Sequence, residues 1–247
     1  MKAPALFVAG TDTGVGKTHV ARALCRELRE LGLDVAVFKP AETGCEDPSA
    51  PSDALALAAA SGSAEPLDLI CPYRLQEPLA PAVAAARQGV TIDLGRLDAA
   101  LDQLAARHDV VICEGAGGLL VPLAERVLTV DWIERRRLPV LLVGRLGLGT
   151  INHVLLSARY LAQRSVRLVG TLLSACEPPP APGLAEGTNP AVLSSYPEVN
   201  LLGVCPHEPE GRLPAGAAKA ILNQLLNAPR SRLLNKQPAC APRKGRR

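Results

Sequence analysis

Three segments carry side chains whose types and spacing suit phosphate chemistry. The first is Gly10-Thr-Asp-Thr-Gly14-Val15-Gly16-Lys17-Thr18, directly after an apolar run and at the start of a helical pattern. In a strand–loop–helix of this kind, successive N–H groups of Gly14, Val15 and Gly16 converge on phosphate oxygens, and the helix start adds its positive end. Lys17 would bridge the β- and γ-phosphates, and the Thr18 hydroxyl would ligate Mg²⁺. His19 follows in the first helical turn. The strict motif has its first glycine where this chain has Thr11; Gly10 stands one residue earlier, so the loop is one residue longer.

The second segment is Asp109-Val-Val-Ile-Cys-Glu114-Gly115-Ala116-Gly117-Gly118. An apolar strand that ends in a carboxylate, within an α/β sheet, puts that carboxylate at the edge where ligands bind. Glu114 there can hold Mg²⁺ directly or through water, and the small residues after it allow close backbone approach. The third is Lys39-Pro-Ala-Glu-Thr43-Gly44, followed by Ser52-Asp53-Ala-Leu-Ala-Leu57. Lys39 shares the sheet edge with Lys17, so two cations would face one anionic site. Taken singly, a strand-end Glu or Lys is more often a surface charge. Asp53 alone would more often be a helix N-cap or first-turn acid. The company of the glycine loop gives Glu114 a functional reading; neither Lys39 nor Asp53 is persuasive by itself.

These residues need elements to hold them. Short runs that are apolar on both faces, Ala5–Ala9, Val35–Phe38, Val110–Cys113, Val140–Val143, Leu168–Leu173 and Leu201–Val204, read as strands of a covered parallel sheet. Helical patterns lie between them, at Thr18–Leu31, Asp53–Ser61, Leu94–Arg107, Thr150–Arg164 and Ala217–Leu226. The alternation predicts an α/β fold of the P-loop NTPase kind, a doubly wound, mostly parallel sheet with helices on both faces. Proline and glycine mark loops at Cys45–Ser52 and Glu177–Gly183. With no internal repeat or linker, residues 1–227 read as one domain and 228–247 as a basic, disordered tail.

Composition narrows the partners. The 247 residues carry a formal net charge of +3, but seven basic and no acidic side chains fall in residues 228–247. Residues 1–227 therefore hold 20 basic and 24 acidic side chains, a net of −4. A duplex-DNA binder would carry its basic stripe on the folded body. Aromatics are only 2%, too few to stack single-stranded bases, so nucleic acid is not an expected partner. The seven cysteines form no C-x-x-C and no zinc-spaced set with the four histidines, and read as small buried hydrophobes in a reducing compartment. The opening apolar run is too short for a signal peptide, and no stretch approaches a membrane span. A cytoplasmic protein is expected.

The set GTDTGVGKT, KPAETG, SDALAL, EGAGG and Gly147-Leu-Gly149-Thr150-Ile151-Asn152-His resembles the dethiobiotin synthetases, ATP-dependent cyclising ligases of biotin biosynthesis. The resemblance runs in order from residue 6 to about 208. It implies a carbamate formed from 7,8-diaminononanoate and CO₂ (or bicarbonate), its phosphorylation by ATP, and closure of a ureido ring by the second amine. It also implies roles. Lys39 matches the active-site lysine and acts with Lys17. Thr18, Asp53 and Glu114 hold Mg²⁺, while Gly115, Ala116 and Gly117 line the nucleotide. Thr43 contacts the substrate. Gly149, Thr150, Ile151 and Asn152 open a helix whose N–H groups suit a carboxylate; in the family this region receives the substrate's carboxylate across a homodimer interface. Val204-Cys-Pro206-His207-Glu208 matches the last nucleotide-edge loop. Where relatives usually have Asn-Asp, the Asn serving the nucleobase, this chain has Ser174-Ala175, so purine recognition there is expected to be weaker or to use backbone groups. No protein nucleophile is needed, in keeping with the lack of a Cys–His or Ser–His pairing.

A rival within the fold is the partitioning-type ATPase, a switch that acts through a protein or nucleic-acid partner. Those proteins carry a second lysine five residues before the loop lysine, and this chain has Asp12 there. Cobyrinic acid amidating synthetases need an appended amidotransferase domain, for which this chain is too short.

Overall fold

In the computed structural model, the described residues are 3–175, 183–208 and 211–226. Six strands form one sheet: β1 (Ala5–Gly10), β2 (Val35–Phe38), β3 (Val110–Gly118), β4 (Val140–Arg145), β5 (Leu168–Ser174) and β6 (Leu201–Cys205). Their order is β6-β5-β4-β1-β3-β2, and every neighbouring pair is parallel. The longer helices are α1 (Lys17–Glu30), α2 (Ser52–Ser61), α3 (Leu94–Arg107), α4 (Thr129–Arg136), α5 (Thr150–Gln163), α6 (Leu184–Ser194) and α7 (Ala217–Leu226). The α/β, doubly wound architecture expected from the apolar runs is the one observed.

Runs that are apolar at every position can only sit in a sheet covered on both sides, because successive side chains point to opposite faces. Along β1, Leu6 and Val8 enter the layer shared with α1, α2 and α7, whereas Phe7 and Ala9 enter the layer shared with α3, α4 and α5. Trp132 of α4 anchors the second layer: it is fully buried, with its ring 6.1 Å from both Phe7 and Phe38. Its indole N–H donates to Asp98 Oδ1 at 2.9 Å, so burial leaves no polar atom unpaired.

The winding reverses at β1: β2 and β3 lie to one side, β4 to β6 to the other. The crevice outside the carboxyl ends of the strands at such a point is where α/β folds bind ligands. Gly10, Lys39, Ser174 and Pro206 come from strand ends or the residues that follow them and share this edge, while Glu114 lies within β3, opposite Val8 of β1.

Several elements differ from the sequence expectation. β3 runs on to Gly118 rather than stopping at Cys113, because its glycine segment stays paired with β1, Gly10 opposite Gly118. Three-residue strands Ala41–Thr43 and Tyr73–Leu75 pair in parallel, too short to show as a pattern. Directly after the expected loop Glu177–Gly183 comes a helix with no apolar pattern to announce it, α6 from Leu184, with Pro190 inside it and Asn189 and Leu193 buried. The described cysteines, Cys25, Cys45, Cys71, Cys113 and Cys205, are free and buried. Cys176, Cys240, most of the Pro-rich stretch and the 228–247 tail lie outside the described residues. Among the described residues, no helix is long and apolar enough to cross a membrane.

Candidate active site

The glycine loop leaves β1 at Gly10, where a Cβ would come within 2.7 Å of the Asp12 carbonyl oxygen and 2.9 Å of Lys17 Nζ, so no larger residue fits. The loop enters α1 through Gly16 in the left-handed region, φ 89°, and no side chain caps the helix. Its first-turn N–H groups are thereby left to a ligand. Lys17 is buried and folds back over the loop, donating to the Asp12 carbonyl at 3.1 Å. Burial lowers its pKa from the ordinary lysine value, and Lys39 pushes the same way, against the carboxylates of Glu114, Asp53 and Asp12.

Beyond the loop lies a buried cluster of charges. Lys39 follows directly on β2, and its Nζ donates to Asp53 Oδ2 at 2.7 Å and to Glu114 Oε1. Lys39 is 3% exposed and Glu114 0%. Burial works against the charge on Lys39, but Glu114 and Asp53 outweigh it and hold its pKa above the ordinary value. Burial would likewise raise Asp53, yet Lys39 and the neighbouring Thr18 and Lys17 hold it low. Thr18 Oγ1 donates to Glu114 Oε1 at 2.9 Å. Glu114 Oε2 is buried with no hydrogen-bond partner. Such an orphaned carboxylate oxygen, beside a hydroxyl and a second carboxylate, fits a hard divalent cation. Among the described residues no group of three or more His, Cys, Asp or Glu converges to hold a metal. Mg²⁺ sites are commonly built from one or two carboxylates plus substrate phosphate and water.

These residues line one cavity of about 490 Å³, in the range of small-molecule sites. Of the residues singled out in the sequence, Gly14, Gly16, Lys17, Thr18, His19, Lys39, Thr43, Asp53, Glu114, Gly115, Ala116, Gly117, Ser174 and His207 face it. Val15 instead packs beneath the loop, 2% exposed. Pro206 contributes through its carbonyl, 3.1 Å from His19 Nε2, and Glu208 is exposed outside the lining.

Gly149, Thr150, Ile151 and Asn152 do not reach the cavity. They start α5 on an uncapped Gly149, and the preceding turn is fixed by Asn189 Nδ2, which donates to the Gly147 carbonyl at 2.7 Å. Leu148 beside them is 94% exposed, and Leu184 at the start of α6 is 91% exposed.

Three lining residues, Thr13, Glu42 and Ala175, had no role assigned from the sequence, and Glu42 alone of them is charged. Glu42 lines the cavity and is buried; its carboxylate accepts from the backbone N–H groups of Asp53 at 2.9 Å and Ala54 at 2.8 Å. Asp53 is therefore a first-turn acid of α2 and not its cap, since Glu42 supplies the cap from a different element. The available signal was a lone acid amid the small residues of KPAETG.

A family model described as an AAA domain matches residues 4–213. The chain is 45% identical over 217 residues to the ATP-dependent dethiobiotin synthetase BioD of Anaeromyxobacter dehalogenans, covering 88% of this chain and 96% of that protein. It is 41% identical over 202 residues to the enzyme of that name from Bacillus licheniformis, covering 81% and 84%. Among solved structures, a plasmid partition protein from Borrelia burgdorferi aligns with TM-score 0.53 at 10% identity, over 92% of this chain and 99% of that one. The signal recognition particle receptor FtsY from Elizabethkingia anophelis, in complex with GDP, aligns with TM-score 0.53 at 19% identity, over 92% of this chain and 64% of the receptor, just under two thirds of its length. At these identities both likenesses concern the fold alone.

Proposed function

The chain belongs to the dethiobiotin synthetase family, and from that premise we propose that Lys17, Lys39 and a Mg²⁺ ion held by Thr18, Asp53 and Glu114 carry its reaction. The protein is an ATP-dependent cyclising ligase that makes dethiobiotin in biotin biosynthesis. One observation supports the site reading above others. A single cavity joins the glycine loop and the Lys39–Asp53–Glu114 cluster to Thr43 on one side and to Ser174 and His207 on the other. Such a lining suits triphosphate, amine and base together.

The chemistry has three bond-forming steps. An amine of 7,8-diaminononanoate adds to CO₂ and loses a proton, giving a carbamate. A carbamate oxygen attacks the γ-phosphorus, and ADP leaves. The second amine then attacks the carbamoyl carbon, phosphate leaves and the ring closes. None of these needs a protein nucleophile; each needs negative charge held and reacting groups aligned. Lys17 spans the β- and γ-phosphates. Lys39, kept protonated by its two carboxylates, acts as a fixed cation between carbamate and γ-phosphate, not as a base. Bound Mg²⁺ neutralises phosphate charge. Gly14, Val15, Gly16, Gly115, Ala116 and Gly117 bring backbone to the nucleotide, while His19, Ser174, Pro206 and His207 border the base; Glu208, expected there, lies outside the lining. Thr43 orients the diamine.

We further infer a cytoplasmic homodimer with the diamine's carboxylate received by Gly149–Asn152 of the second copy. Exposed Leu148 and Leu184, on segments tied together by the Asn189–Gly147 hydrogen bond, offer apolar surface that such an interface would cover. Residues 1–227 form the working unit in this reading, with no role assigned to the tail. Replacing Lys39 with alanine tests the mechanism: turnover should fall on the order of 10²–10³-fold, with ADP affinity kept within a fewfold by the intact glycine loop. An undiminished rate would remove Lys39 from the mechanism.

A further inference from the structure

Glu42 is a buried acid of the cavity that neither the phosphate loop nor the two lysines engage in a hydrogen bond. It is 4% exposed, and its carboxylate is turned onto the start of α2. Oε1 accepts from Asp53 N at 2.9 Å and lies 3.4 Å from Ser52 Oγ; Oε2 accepts from Ala54 N at 2.8 Å. The helix has no cap of its own, because Pro51 stands at the cap position and offers no side-chain acceptor. An anion placed there satisfies first-turn N–H groups and meets the positive end of the helix.

What hangs from that helix start is Asp53. Its N–H is held by Glu42 while its carboxylate reaches Lys39 Nζ at 2.7 Å. Glu42 itself belongs to the Ala41–Thr43 strand, three residues after Lys39 and next to Thr43. One carboxylate therefore ties the segment bearing Lys39 and Thr43 to the helix bearing Asp53.

We propose that Glu42 is a positioning residue, which fixes the backbone of Asp53 so that its carboxylate serves both Lys39 and Mg²⁺. The inference rests on the reading of Asp53 as a metal ligand. Groups that orient metal ligands typically change metal affinity 10–100-fold when removed, by about one to two decades. A helix cap with no further role would alter the melting temperature alone.

The test is calorimetric titration of Mg²⁺ into the full chain saturated with ADP, for the wild type, Glu42→Gln, Glu42→Ala and Asp53→Ala. Mg²⁺ affinity should fall roughly tenfold or more in Glu42→Ala. It should fall less in Glu42→Gln, whose amide oxygen keeps one acceptor. Excess Mg²⁺ should restore turnover in Glu42→Gln. If both Glu42 variants bind Mg²⁺ as the wild type does while Asp53→Ala binds it weakly, Glu42 is only a cap and the proposal falls. If Asp53→Ala binds Mg²⁺ normally, the metal reading of Asp53 fails and takes this proposal with it. Should Glu42→Ala not fold, Glu42→Gln alone decides between these outcomes.

Discussion

Lys39 and Glu114 show how a pair of opposite charges is kept inside a protein. Both are all but inaccessible, and each would be costly to bury alone. Paired, and shared with Asp53 and Thr18, they form a network in which removing Lys39 or Glu114 strips the other of its buried counter-charge. Glu114→Leu alone should destabilise the fold by about 3–5 kcal/mol, the usual cost of breaking a buried pair. The double variant Lys39→Met/Glu114→Leu should recover a large part of that loss and remain inactive. Urea unfolding of the two single variants and the double variant gives the coupling directly. Strict additivity would mean that the pair is not energetically linked. The cysteines make the opposite case: burial pushes the Cys25 and Cys205 thiols up to about 12 and Cys45 to about 11, so at neutral pH they are inert packing groups.

At the scale of elements, what could be read from sequence was what one segment determines alone. The six main strands and five of the helices have a local apolar pattern, and each observed span falls within a few residues of the expected one apart from β3. What escaped depends on partners distant in sequence. The glycines of β3 look like a loop and stay extended only because β1 lies alongside. Glu42 looks incidental until α2 folds back over it, 11 residues further on for Asp53. The same split holds for the site, where Lys17, Thr18 and Glu114 come from recognisable motifs and Glu42 comes from tertiary contact. A second long-range tie joins the amino-terminal edges of β2 and β3: His108 Nδ1 is 2.9 Å from Asp34 Oδ2, and Nε2 is 3.0 Å from Glu65 Oε1. Burial works against the charged ring, but the two hydrogen-bonded carboxylates prevail and raise its pKa above the ordinary 6.5. A raised folded pKa means this contribution to stability is full below 6.5 and is lost as pH rises through the folded value. The stability gap between wild type and His108→Gln should therefore be widest on the acid side and narrow with rising pH. Denaturant midpoints across that range measure it; a gap that widens with pH would contradict the assignment.

For the whole molecule, net charge is a poor guide and placement a good one. The +3 divides into a basic terminal segment and a body of −4, while Lys17 and Lys39, the cations of the proposed mechanism, are two buried side chains at one sheet edge. The likeness to a plasmid partition protein ends at the fold, at 10% identity. The shared-site reading makes a prediction at this scale. Leu148→Asp should convert the dimer to monomer in light scattering and raise KM for the diamine several-fold more than KM for ATP. Equal shifts in both would count against a substrate site completed by the second copy. The account as a whole turns on whether MgATP, diamine and CO₂ meet in the one cavity. Phosphate release from MgATP, followed with and without 7,8-diaminononanoate plus bicarbonate and with mass detection of the product, measures this most directly. The expected result is release that depends on the diamine and matches one ureido product per phosphate. Release that is indifferent to the diamine, with no ureido product, would contradict it.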